Sequence, residues 1–200
     1  AIINTITIIT RFTWCKCNGY TLHINGDKFN ESLIYSLSSG IIRNLNIRLD
    51  TSCNSQSDWS SSNYSNLTSW SNAVVAKTIG GTSRIDNINL HLGDMFVTDC
   101  FTAGNHGVLV ETISGNGSVG QITHCNVVGD VYLMIGGDTP LSSGFQFGVL
   151  VGGSAATKII NNTYTGSIIV RKTTENNLTS GINTHIKYSD IACINTSISN

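Results

Sequence analysis

The sequence has one proline, Pro140, and little charge: 12% of its 200 residues are Asp, Glu, Lys or Arg, and the net charge is −1. Such a balance argues against an electrostatic nucleic-acid binder, which needs a basic stripe, and against a polybasic membrane anchor. No stretch of about 18 apolar residues exists, so nothing is expected to insert in a bilayer. Good helix formers (Ala, Glu, Lys, Gln and Met) are sparse, which excludes a helical fold on propensity. There is no P-loop, dinucleotide fingerprint or nucleophile elbow. His23, His91 and His185 have no neighbour at metal-ligand spacing. No catalytic residue, metal or cofactor is therefore assigned. The chain opens on Ala1 without a signal-peptide pattern, and a processed or partial chain is the simplest reading.

What is present is equally uneven. About a third of the residues are Asn, Ser or Thr, there are 20 glycines, and Ile and Val supply much of the apolar content. β-branched residues favour strands, and Asn, Gly and Ser favour the turns between them. The mixture predicts one all-β domain spanning residues 1–200 with many short strands, long enough to bury a sizeable core.

Asn-X-Ser/Thr acceptors occur at Asn30, Asn63, Asn66, Asn116, Asn161, Asn177 and Asn195. Chance produces such triplets in an Asn/Ser/Thr-rich chain, but in a secretory pathway several would carry covalent N-glycans. Asn63 and Asn66 are the best placed, in a polar loop. The six cysteines are Cys15, Cys17, Cys53, Cys100, Cys125 and Cys193. An even count suits disulfides of an extracellular protein, with pairing left open; the alternative is buried free thiols. Cys15 and Cys17 are spaced to share one face of a strand, so each is expected to seek a different partner.

A repeat organises the chain. Gly107-Val-Leu-Val110 precedes a run from Gly120 through Ile122 and Gly129 to Leu133. Gly148-Val-Leu-Val-Gly152 precedes a similar run from Lys158 through Gly166 to Val170. Aligning Gly129 with Gly166 sets Ile122 on Ile159, Val127 on Tyr164 and Val131 on Ile168. Upstream, Ala73-Val-Val-Ala76 precedes Ile85 to Val97, with one extra residue before Gly93. Gly93 to Gly129 is 36 residues and Gly129 to Gly166 is 37. Weaker copies begin at Leu33 and at Gly181, the last running out at Asn200.

Each unit reads as apolar strand, turn, second strand, glycine corner and third strand. Such a unit cannot bury its own apolar side, but stacked copies form one continuous core. The prediction is a parallel β-solenoid of four to five imperfect coils, with Ile122 and Ile159 in one interior ladder. Gly129 and Gly166 fit corners that need positive φ or close backbone approach. A β-sandwich also has many short strands but does not explain the near-constant spacing.

The pattern resembles the GLUG motif of secreted and surface proteins. It is carried by Gly148, Leu150, Val151, Gly152, Ile159, Asn161, Tyr164, Gly166 and Ile168, and less fully by Gly107, Leu109, Val110, Ile122, Cys125, Gly129 and Val131. About a third of the chain is covered well. The resemblance implies a β-helical extracellular protein, often part of an adhesin-like chain, and no single activity.

Two regions escape the pattern: residues 1–30, and residues 51–72, which read as a polar loop insertion. Trp59, Tyr64 and Trp70 in that loop are candidate glycan contacts, or a cover for the side of the stack. Asp94 and Asp130 each follow a corner glycine, so they should stack about 4.8 Å apart and form a weak candidate cation or acid–base pair. Solvated corner residues are the plainer reading.

Three functions remain open: a structural subunit of an extracellular filament or coat, a glycan-binding adhesin segment, and a β-helical polysaccharide lyase or hydrolase using Asp94 and Asp130. Both chain ends carry β-prone apolar sequence without a polar cap. They are expected to pair head-to-tail with further copies of the same chain.

Overall fold

A computed structural model describes the protein over residues 2–3, 14–16, 21–25, 31–50, 73–93, 96–99, 104–114, 120–135, 145–154, 158–172 and 187–189. These residues form strands, bends and turns, with no helix among them. In chain order the strands begin with β1 (Ile2–Ile3), β2 (Trp14–Lys16), β3 (Thr21–Asn25), β4 (Ile34–Leu37) and β5 (Ile41–Asp50). Next come β6 (Ala76–Gly80), β7 (Arg84–His91), β8 (Phe96–Asp99), β9 (Gly104–Gly107) and β10 (Val110–Ser114). They are followed by β11 (Gln121–Thr123), β12 (Asn126–Val128), β13 (Val131–Ile135), β14 (Phe145–Gly148) and β15 (Val151–Ser154). The last are β16 (Lys158–Ile160), β17 (Thr163–Thr165), β18 (Ile168–Lys172) and β19 (Lys187–Ser189).

The strands make four parallel sheets: one of nine strands, one of four (β15-β10-β6-β4) and two of three (β18-β13-β8 and β19-β14-β9). Each strand pairs with its equivalent one repeat away. Ile42 lies on Ile85, Ile85 on Ile122, and Ile122 on Ile159. Val127 lies on Tyr164 and Val131 on Ile168, the register expected from aligning the corner glycines. Backbone bonds between bends continue the columns, from Leu33 N to Val74 O, Val74 N to Val108 O, and Val108 N to Gly148 O. One cluster of buried apolar side chains draws on all four sheets, among them Ile85, Ile122, Val110, Leu133 and Phe147. Gly129, at φ 125, stands at its corner as expected.

The nine-stranded sheet carries a phase break. Ile42 and Leu45 are both buried, three residues apart, where strict alternation would turn one outward. Asn44 between them has φ 57 and resets the phase. Asn87, His124 and Asn161 do the same at φ 53, 55 and 55. A left-handed conformation is costly for most residues but tolerated by Asn and His. The extra residue before Gly93 is Leu92, which is fully buried and bonds through its N–H to Val128 O. A Cβ on Gly129 would come within 2.9 Å of the Leu92 Cβ, so the shorter repeat needs glycine beneath it.

Four expectations are corrected. Residues 1–30 were expected outside the repeat, yet Trp14 pairs with Ile41, Thr21 with Asn46 and Ile2 with His23, all in the nine-stranded sheet. The last copy was placed from Gly181, but Ser189 pairs with Gly148, so it starts later in the chain. Glycines and apolar runs alone misjudged this register because Ser189 replaces the marker glycine. Gly-Val-Leu-Val is not one strand: it bends at Val108 and Leu109, splitting β9 from β10. Gly107 permits the arch, since a Cβ there would collide with the Val110 carbonyl. With β11 also separate from β12, and β16 from β17, the units β9–β13 and β14–β18 each hold five strands where three were expected. Residues 51–72 lie outside the described residues.

Candidate functional site

Two polar columns run across the outer side of the nine-stranded sheet. The left-handed residues stack as Asn44, Asn87, His124 and Asn161, and Asn87 Nδ2 donates to Asn44 Oδ1 at 2.8 Å. Two residues on, Asn89 Nδ2 donates to Asn46 Oδ1 at 2.9 Å and Thr163 Oγ1 to Asn126 Oδ1 at 2.7 Å. Between the columns, Asn162 Oδ1 accepts from Cys125 N at 2.8 Å while its Nδ2 donates to Ile122 O at 2.9 Å. An amide there satisfies backbone groups that an apolar residue would leave to water.

Beside the first column, on the side away from the second, four side chains converge on one carboxylate oxygen or its partner. Asp86 Oδ1 accepts from Thr123 Oγ1 at 2.6 Å and Arg84 Nη2 at 2.9 Å, and lies 3.1 Å from His124 Nδ1. Arg84 Nε donates to Thr123 Oγ1 at 3.1 Å. The other ring nitrogen of His124, Nε2, is 3.3 Å from Asn161 Nδ2. These contacts fit a neutral imidazole with the proton on Nδ1, donating to Asp86 and accepting from Asn161. The Thr123 hydroxyl donates to the carboxylate, not to the imidazole. That is not the nucleophile–base–orienter order of an acyl-transfer triad, and the cluster reads as a brace between repeats.

Partial burial raises the pKa of Asp86. The hydrogen bonds from Thr123, His124 and Arg84, with the Arg84 charge, outweigh it and hold the carboxyl below its ordinary value. A depressed pKa means that Asp86 stabilises the fold above its unfolded pKa, and that this contribution fades as pH falls through the folded value. The Asp86→Asn variant is therefore expected to be less stable than wild type at neutral pH, with the gap closing in acid. Urea midpoints at about pH 7 and below the aspartate range check this; midpoints that keep a constant gap would contradict it.

The anticipated site residues fare unevenly. Asn161 is exposed, with its amide against His124, and the Thr163 hydroxyl of its triplet is bonded to Asn126. Asn30, Asn63, Asn66, Asn116, Asn177 and Asn195 lie outside the described residues, as do Trp59, Tyr64, Trp70 and Asp94. Asp130 Oδ1 accepts from Ser167 N at 2.8 Å, capping the next repeat's corner.

Cys125, a disulfide candidate, is instead a free buried thiol, its Sγ 3.3 Å from Thr123 O. Burial pushes this thiol up to about 11, and its rung belongs to the apolar core with Ile88 and Leu45. Cys15 pairs in register with Ile42. Cys17, Cys53, Cys100 and Cys193 lie outside the described residues.

The Asp86 cluster was missed by sequence reading because its two halves, Arg84 with Asp86 and Thr123 with His124, are joined by contacts 37 to 39 residues apart. Aligning the repeats from Ile85 and Ile122, instead of from the corner glycines, would have set Asp86 beside Thr123. Among the described residues no three His, Cys, Asp or Glu side chains are grouped to hold a metal, and no helix is long and apolar enough to cross a membrane. Compared with known protein families, curated proteins and solved structures, the chain matches none.

Proposed function

We propose that the four parallel sheets close around their shared core as a β-solenoid. The chain then serves as a structural segment of an extracellular filament or surface coat, extended by pairing with further copies of itself. The observation that carries this reading is how burial changes along the ladders. Ile85, Ile122, Leu90, Val127 and Val131 are fully buried or within 1% of it. Their counterparts one repeat on, Ile159, Tyr164 and Ile168, are only partly buried against the core. Ile160 beside them is 46% exposed. Apolar rungs of this kind favour the addition of another parallel layer. A head-to-tail contact between unlike edges does not close on itself, so it propagates.

The seven glycosylation triplets and the pattern similar to GLUG repeats support an extracellular setting with N-glycans. No enzymatic activity is proposed. Negative-stain microscopy and sedimentation of the full chain test the assembly. Rods that lengthen with concentration, with a strand repeat of about 4.8 Å in fibre diffraction, are expected. A monomer at every concentration would overturn the reading.

A further inference from the structure

The near-neutral charge of the whole chain hides a segregation. The strands of the nine-stranded sheet hold Lys16, Arg43, Arg48, Arg84 and Lys158 against only two acids, Asp50 and Asp86. The strands of the other three sheets hold Lys77, Arg171, Lys172 and Lys187 against Glu111 and Asp99, so the nine-stranded sheet carries the largest excess of cations. Parallel pairing then sets like charges side by side. Lys16 pairs with Arg43 in the backbone ladder. Neighbouring strands lie about 4.8 Å apart, and like charges directly opposite one another are destabilising. Asp86 pairs with Arg43 in register, but its Oδ1 is bonded to Arg84 on its own strand and to Thr123 and His124 of the next repeat. Arg43, Arg48 and His91 are all exposed.

We propose that this outer face, centred on Arg43 and Arg48 among the asparagine columns, binds an acidic polysaccharide bearing carboxylate or sulfate groups. Guanidinium forks match planar and tetrahedral oxyanions with paired hydrogen bonds. The amides of Asn44, Asn46, Asn87 and Asn89 form a braced polar surface between them. An amide both donates and accepts, which suits the hydroxyls of a sugar chain. The columns repeat at strand spacing, so the face offers periodic sites to a periodic polymer. Nucleic acid is the lesser fit. Single strands are held on stacking aromatic side chains, and the outward positions of β5, β7, β11 and β12 carry no Phe, Tyr or Trp. Among the described residues there is no helix to enter a duplex groove.

The test uses the full wild-type chain on immobilised heparin, polygalacturonate, neutral dextran, single-stranded DNA and duplex DNA. Heparin and polygalacturonate separate sulfate from carboxylate recognition, and binding to either supports the proposal. Binding should weaken with added salt and be absent on dextran. The Arg43→Gln/Arg48→Gln double variant should lose about tenfold or more in affinity, while Lys77→Gln, on another sheet, should bind as wild type does. A footprint that needs no variant accompanies this: bound polysaccharide should protect Arg43 and Arg48 of the wild-type chain from phenylglyoxal. Failure to bind either acidic polysaccharide at low salt would overturn the proposal. So would tighter binding to DNA, undiminished binding by the double variant, or unprotected arginines. The readout does not depend on filament formation, so a monomeric chain that binds would separate this proposal from the assembly reading.

Discussion

Replacing Ile122 by alanine is expected to lower the stability of the fold by about 2–5 kcal/mol, the range for emptying a buried aliphatic site. Ile122 is fully buried and sits in register between Ile85 and Ile159. Backbone pairing on both sides limits how far the layers can shift to fill the space. Methyl groups of the neighbouring rungs lose their contacts, and the loss adds to the transfer free energy of the deleted atoms. Ile159→Ala offers an internal comparison. Ile159 is only partly buried, so its truncation should destabilise less than that of Ile122. Urea denaturation of both variants measures the difference. Equal losses, or a loss under about 1 kcal/mol at Ile122, would show that the ladder is not packed as described.

The Gly152→Ala variant is expected to be destabilised by about 3 kcal/mol or more, at the upper end for overpacking. A Cβ at this position would meet the N, C and O atoms of His106. These are backbone atoms on β9, itself paired with β14 through His106 and Phe147. A side chain could rotate away from the added methyl; a strand held by its ladder cannot. The sheet itself does not demand glycine there, because the preceding rungs at this register are Tyr35, Lys77 and Glu111. The close passage of β9 imposes the requirement. Thermal melts of Gly152→Ala against Glu111→Ala decide the matter. Only the glycine variant should show a large drop, and a wild-type melting point for it would refute the close approach.

The repeat made much of the pairing legible before any coordinates. Aligning two glycines set Ile122 on Ile159, Val127 on Tyr164 and Val131 on Ile168, and those residues are partners. This works because the backbone ladder of parallel strands ties register to chain spacing, so a constant repeat length becomes a straight column of equivalent residues. Where repeat length changes, the alignment loses its anchor. The short N-terminal spacing hid β2 and β3, and Ser189 in place of glycine hid the start of the last copy.

The sequence by itself determined the all-β class, the parallel register of the central repeats and the need for a glycine at corner 129, because propensity, periodicity and backbone freedom are local properties. Tertiary structure decided the rest. It decided that Asn44, Asn87, His124 and Asn161 adopt left-handed φ and reset the alternation, since Asn and His only permit that conformation and the packed apolar rungs on either side select it. It decided that Cys125 is a core side chain and that Asp86 gathers Arg84, Thr123 and His124. Each of these depends on which residues one repeat apart become neighbours. Electrostatics and hydrogen bonding act across a few ångströms of space and are blind to separation along the chain.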